Sequence, residues 1–254
     1  MTDIRLFEAK INDMIEKARR GRLAVSNFMT PEDSEYARTL LQRQKPDVEF
    51  DFYGGYSQAE RKLLVFLPDY LDKETLDTDL VLKAIFIKPL GYQMPDHRSY
   101  LGALMNLSIK RETIGDIIVT DGGAVVFCTL PVASMLTAVP CPLEKVGHER
   151  VRVGLADRSM YENYERDYET LSVIMASLRL DCAVAALADL SRSLAKEKIA
   201  RGDVMLNHAQ KLSPNTDISS GDTLSVRGVG KFVIKGICGE TRSGRLRVEV
   251  IRYL

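Results

Sequence analysis

The sequence predicts an α+β protein in three parts, and three observations carry that expectation. Apolar residues recur at helical spacing near the start, at Ile4, Phe7, Ile11, Met14, Ile15 and Ala18. The middle of the chain alternates element types in the order β-α-β-β-α-β. The end places two short helices ahead of strands whose apolar and polar residues alternate.

Residues 1–78 read as an N-terminal α/β domain. A helix spans Asp3 to Arg20 and stops at Gly21. Thr30 is suited to cap a second helix, with Pro31 at its first position and Asp33 at its third; it runs to about Gln44. Val48 to Phe52 alternates like a strand. Gly54-Gly55-Tyr56 turns the chain, and the apolar run Leu63 to Leu67, closed by Pro68, is a further strand.

Residues 79–156 carry the β-α-β-β-α-β pattern, which is ferredoxin-like or RRM-like. Val81 to Ile87 is a strand, and a helix beginning near Asp96 contains Tyr100 to Leu107. Asp116 to Thr120 and Ala124 to Cys128 are strands joined by the hairpin signal Asp121-Gly122-Gly123. Pro131 to Val139 suits a helix and His148 to Val153 a last strand. An RRM stacks bases on aromatic residues of its central strands. The candidates here are Phe86 and Phe127, whose residue type favours the core. Lys110 and Arg111, ahead of Gly115-Asp116, either touch a phosphate or lie in a solvated loop. Asp116 and Asp121 read as solvated carboxylates.

Residues 157–177 are polar and rich in tyrosine, then apolar, and read as a linker whose end, Thr170 to Met175, leads a strand into the last domain. In that domain, residues 178–254, Asp181 is placed to cap a first short helix with Ala183, Val184, Leu187 and Leu190 apolar. Ser191 caps a second helix, Arg192 to Arg201, stopped by Gly202. Leu194, Ala195 and Ile199 are expected to face inward. Arg192 and Lys196 share a face that Ser193 and Lys198 border. Strands follow at Val204 to Asn207, Thr223 to Arg227, Phe232 to Ile237 and Leu246 to Ile251. A basic hairpin tip carries Arg242 and Arg245.

Net charge is zero over 254 residues, but it is unevenly distributed. From Thr170 onward there are 13 Lys and Arg against 8 Asp and Glu, a balance of +5, so the earlier part stands at −5. Cations at helical spacing suit phosphate oxygens, which they engage through charge-assisted bonds. Alternatively, such cations only solvate a helix. Four scattered cysteines and three scattered histidines show no ligand spacing, so neither a disulfide nor a metal site is expected. No cofactor is expected. No apolar run is long enough to span a bilayer.

The order RLD (Arg179 to Asp181), then SR (Ser191-Arg192), then I-x-x-G-x-V-x-x-N (Ile199 to Asn207), then a late Gly221-Asp222 resembles the S4 RNA-binding domain. The resemblance implies that Arg179, Ser191, Arg192, Ser193, Lys196, Lys198 and Arg201 contact RNA, with Asn207 near the rim. GGYSQAERK (Gly54 to Lys62), LGALMNLSIKRETIGDI (Leu101 to Ile117) and RGVGKF (Arg227 to Phe232) extend it to the whole chain, which is similar to the bacterial YlmH family. One departure is Ser108, where glycine is expected. That family implies an N-terminal domain, a central candidate RNA-binding domain and a C-terminal S4 domain, with Arg227 and Lys231 in a basic turn. It also implies a cytoplasmic monomer that binds structured RNA, both rRNA and tRNA, on the large ribosomal subunit. Its role there would be in ribosome-associated quality control of stalled nascent chains, without DNA or a membrane. Lys110, Arg111, Arg242 and Arg245 would add secondary contacts.

Two other classes stay open. An RNA-modifying enzyme, of the pseudouridine synthase or methyltransferase type, would need a catalytic domain unrecognised in residues 1–155. The single RLD belongs to the helix start, and Gly122-Gly123 sits in a hairpin rather than ahead of a helix. A cell-division adaptor would use the acidic body to bind a protein.

Overall fold

The computed structural model describes residues 4–253. Helix α1 (Ile4–Arg19) buries Ile11, Met14, Ile15 and Ala18 on one stripe; the expected start at Asp3 lies outside the described residues. Strand β1 (Ala24–Val25) follows. Helix α2 (Pro31–Gln44) is capped as its sequence predicts, the Asp33 N–H donating to Thr30 Oγ1 at 3.1 Å. Strands β2 (Glu49–Tyr53) and β3 (Leu63–Leu67) complete an antiparallel sheet ordered β1-β3-β2. All five residues of β3 are buried, because both faces of this strand are covered. Leu64 and Phe66 pack with α1 and α2, and Leu63, Val65 and Leu67 face the opposite way.

What covers that second face is the next sheet. Its elements are β4 (Lys83–Pro89), α3 (His97–Asn106), β5 (Ile114–Thr120), β6 (Gly123–Cys128), α4 (Leu130–Leu136), β7 (Lys145–Val146) and β8 (Glu149–Leu155). The antiparallel order β5-β6-β4-β8-β7 is a split βαβ arrangement extended by β7, which pairs with β8 around Gly147. Ile85, Ile87, Ala124, Val126 and Cys128 join a core with residues of α3 and α4. On the other face Ala84, Ile118, Val125 and Phe127 share one core with Leu63, Val65 and Leu67 of β3. The expected boundary between residues 78 and 79 is therefore crossed by a common core, and the chain up to Tyr164 forms one unit.

The segment read as a linker, residues 157–177, is built in. Tyr161 meets the Phe127 ring edge-on at 5.1 Å, and Tyr164 meets Tyr56 at 5.9 Å. Aromatic area drives that burial even though polar residues surround it in sequence. Tyr56 stacks on Phe127 at 5.3 Å and 19°, which is possible because Gly55, at φ 96°, has no Cβ; one there would lie 2.2 Å from that ring.

The second unit runs from Glu165. Strand β9 (Tyr168–Met175) leads into α5 (Leu180–Leu187) and α6 (Arg192–Ala200), followed by β10 (Val204–Leu206), β11 (Ala209–Gln210), β12 (Thr223–Val226), β13 (Gly230–Glu240) and β14 (Leu246–Tyr253). The sheet order is β11-β10-β12-β13-β14-β9, with every pairing antiparallel. The strand expected at Thr170 to Met175 begins two residues earlier and is an edge strand of eight residues, in register with β14 from Met175↔Leu246 to Tyr168↔Tyr253. Leu180, Ala183, Val184, Ala195 and Ile199 fill the core beneath the helices. Leu194 does not face inward: it is 50% exposed, because Ala195 and Ile199, four apart, already define the inner stripe.

Candidate nucleic-acid interface

The two helices of the second unit meet at a buried charge. Arg179 precedes α5 as its N-cap, and Asp181 is the helix's second residue rather than its cap. Asp181 is wholly buried. Its Oδ1 accepts from Arg179 Nε at 3.2 Å, and its Oδ2 accepts from Arg179 Nη2 at 3.1 Å and from Arg192 Nη2 at 2.7 Å. Arg179 also donates to the Asn215 side chain. Burial by itself pushes the Asp181 carboxyl up. The hydrogen bonds from Arg192 and Arg179, with their charges, outweigh it and hold the carboxyl below its ordinary range. The Arg192 guanidinium is held above its ordinary value, chiefly by the hydrogen bond to Asp181.

This arrangement fixes two guanidiniums at one point of the surface. Arg192 spends one N–H of its five on Asp181, and its side chain keeps 54% of its exposure. A cation at the first position of a helix opposes the helix dipole. Here Asp181 offsets that cost, and the positive end of α6 adds to the potential the two arginines create. Ser191 Oγ accepts from the Leu194 N–H at 3.3 Å and lies 2.9 Å from Ser193 Oγ. Lys196 stands one turn on from Arg192, exposed.

Other expected contact residues are engaged within the unit. Lys198 lies 3.9 Å and Arg227 3.7 Å from the Asp203 carboxylate, and Arg201 pairs with Glu197. Asn207, at φ 50°, builds a turn. Its amide donates to Asp222 at 2.7 Å and its side-chain oxygen accepts from the Thr223 N–H at 2.8 Å. The Lys231 ammonium lies 5.7 Å from the centre of the Tyr253 ring. Arg242 and Arg245 are exposed at the β13–β14 tip, which Thr241 closes by accepting from the Arg245 N–H at 3.1 Å.

In the first unit Lys110 is exposed, but Arg111 is not a surface cation. Its Nη1 donates to the carbonyls of Ile114 at 2.6 Å and Gly115 at 3.2 Å, and burial, with Arg61 nearby, pulls its guanidinium down to about 10. Asp116 is not solvated either. It is 8% exposed and accepts from Tyr56 Oη at 2.9 Å and from the N–H groups of Glu60 at 2.7 Å and Arg61 at 3.1 Å. Arg61 in turn donates to the carbonyls of Ile114 and Phe28. The two stretches GGYSQAERK and IKRETIGDI therefore meet as a network that joins the two sheets. Periodicity carries no sign of it, since its acceptors are mainly backbone groups. Phe127, fully buried between Tyr56 and Tyr161, fills the core as its residue type predicts. Among the described residues no group of three or more His, Cys, Asp and Glu is placed to hold a metal, and no helix is long and apolar enough to cross a membrane.

These features define an α+β protein with a candidate RNA-binding domain at its centre: residues 80–160 match the family described as "Putative RNA-binding domain in YlmH". The chain is similar to YlmH proteins in this domain and along most of its length. Over 232 residues it is 29% identical to the ribosome-associated protein quality control protein P2 of Bacillus subtilis, covering 91% of this chain and 88% of that one. Its fold is similar to that of the cell division protein YlmH from Streptococcus pneumoniae. The TM-score is 0.51 at 17% identity, over 64% of this chain and 96% of the other.

Proposed function

We propose that this protein is a non-catalytic RNA-binding factor of the cytoplasm that works on the large ribosomal subunit. In this reading the second unit is an S4-type module. Its α5–α6 face holds phosphates of rRNA and tRNA, and the protein serves quality control of stalled nascent chains. The carrying observation is the wholly buried Asp181, which holds Arg179 and Arg192 together beside exposed Lys196. Such a paired guanidinium clamp suits phosphate, because planar forks fixed in advance lose little entropy on binding. The similarity to a ribosome-associated quality control protein over nearly the whole chain supports the setting. The action is positioning: cations clamp phosphates and set register, without bond chemistry.

Sucrose-gradient sedimentation of cell extract tests this, comparing the tagged chain with Ser193→Ala/Lys196→Ala, which leaves the Asp181 clamp intact. The wild type is expected with large subunits and the variant largely at the top of the gradient. A wild type that stays at the top overturns the ribosomal reading.

A further inference from the structure

In the first unit the sheet face that an RRM would offer to bases is plugged by β3, which covers Ala84, Val125 and Phe127. The cover ends toward β8 and β7. Residues at even positions of β4 and β8 share that face, since Ala84 and Ala156 pack into the common core from it. Continuing outward, Lys88 of β4 stands directly opposite Arg152 of β8, and Arg150 of β8 directly opposite Lys145 of β7. All four are exposed, and no carboxylate lies within ion-pair distance of them among the described residues. Asp121, at the tip of the neighbouring hairpin, is an exposed carboxylate at this end of the sheet.

Like charges directly opposite in a sheet are about 5 Å apart and destabilise it. Two such pairs side by side on one face are a local cost that a polyanion would relieve. Beside them the Phe86 ring is only partly buried. Gly123 lies against one side of it, while a Cβ on Gly154, directly opposite Phe86 on β8, would meet nothing within 4 Å. The surface next to the ring is open. The loop leaving β4, tied back by the Leu90 N–H bond to the Arg150 carbonyl at 2.8 Å, carries fully exposed Tyr92.

We infer that Lys88, Arg150, Arg152 and Lys145, with Phe86 at their inner margin, form a second RNA-binding site for an unpaired segment. The cations take successive phosphates and the ring takes a base. An aromatic beside a cationic track is the usual means of holding single strands, and an unstacked base is needed to reach such a ring. The inference rests on the RNA-binding reading above and adds a site separate from the α5–α6 face.

Fluorescence anisotropy of the full chain with an oligouridylate of about 12 nucleotides, across a salt series, tests it. Lys88→Ala/Arg150→Ala/Arg152→Ala should bind more weakly, with the salt slope reduced in size by about 2, near 0.7 for each phosphate no longer neutralised. Its melting temperature should be unchanged or higher, since the substitutions remove repulsion. Arg150→Lys/Arg152→Lys should keep the slope. Phe86→Leu should keep the slope and lose roughly fivefold or more in affinity. An unchanged affinity and slope in the triple alanine variant overturns the inference. If Ser193→Ala/Lys196→Ala still leaves the ribosome in that case, the proposed function stands without it. A triple variant that binds RNA normally but loses subunit co-sedimentation also overturns it, and marks the patch as a protein-binding surface. A wild type that binds neither RNA nor subunits removes both readings.

Discussion

At the residue scale, Asp181 sets how the second unit responds to acid. Its folded-state carboxyl is held below the ordinary value of about 3.9, so its contribution to stability is complete above that pH. The contribution fades as pH falls through the depressed folded value. Wild type should therefore lose more stability than Asp181→Asn on going from pH 5 to pH 2 in urea titrations; parallel losses would show the pairing has no energetic weight. Asp181→Ala at neutral pH should cost on the order of 2 kcal/mol, because charge-assisted bonds are removed at a buried site.

The same geometry separates Arg192 from Lys196. Helical spacing alone makes both free surface cations, interchangeable in a folding-neutral double variant. Arg192 instead partners a buried carboxylate, so Arg192→Ala should lower the melting temperature, whereas Lys196→Ala should leave it unchanged within error. Equal melting temperatures for the two would contradict this. Leu194 and Ile199 make a second contrast on α6. Ile199→Ala should cost about 3 kcal/mol by opening a cavity, and half-exposed Leu194→Ala under about 1 kcal/mol. Chemical denaturation reads both.

At the element scale, most helix and hairpin signals hold, the expected Asp181 cap of α5 being the exception. The Thr30 cap, the Gly122-Gly123 turn and the Ser191 cap all form where residue chemistry places them. Signals fail where an element is short or its burial comes from a distant partner. β1 has two residues, and although Thr170 to Met175 reads as the lead into a strand, its pairing with β14, more than seventy residues away, has no local sign. The loop at Gly54-Gly55-Tyr56 belongs to this second kind. Gly55→Ala should destabilise the first unit by several kcal/mol, since the added methyl meets the Phe127 ring at a backbone conformation that L residues rarely adopt. A near-native urea midpoint for this variant would mean the Tyr56–Phe127 stack adjusts without cost.

At the scale of the whole molecule, net charge conceals function. A neutral chain does not suggest a polyanion partner, yet +5 is gathered from Thr170 onward and further cations stand on one sheet edge of a first unit that is acidic overall. Residues 165–254 have their own core of helices and a six-stranded sheet. Expressed alone, that fragment should unfold cooperatively in denaturant; a gradual, non-cooperative loss of its circular dichroism signal would show that it depends on the first unit.

Residue patterns alone were enough for the α+β class, for the main elements of the central and last parts (β7 and β11 excepted) and for the position of the two-helix motif. Those are local properties: capping, period, turn chemistry and motif spacing act within a dozen residues. Tertiary structure alone decided which arginines are free and which are held by Asp181 or by backbone carbonyls. It also decided that Asp116 ties two sheets together and that two expected domains share one core. The reason is physical: pairing, burial and cross-strand register are set by residues far apart in the chain, and a charge reads the same in sequence whether water or a carboxylate answers it.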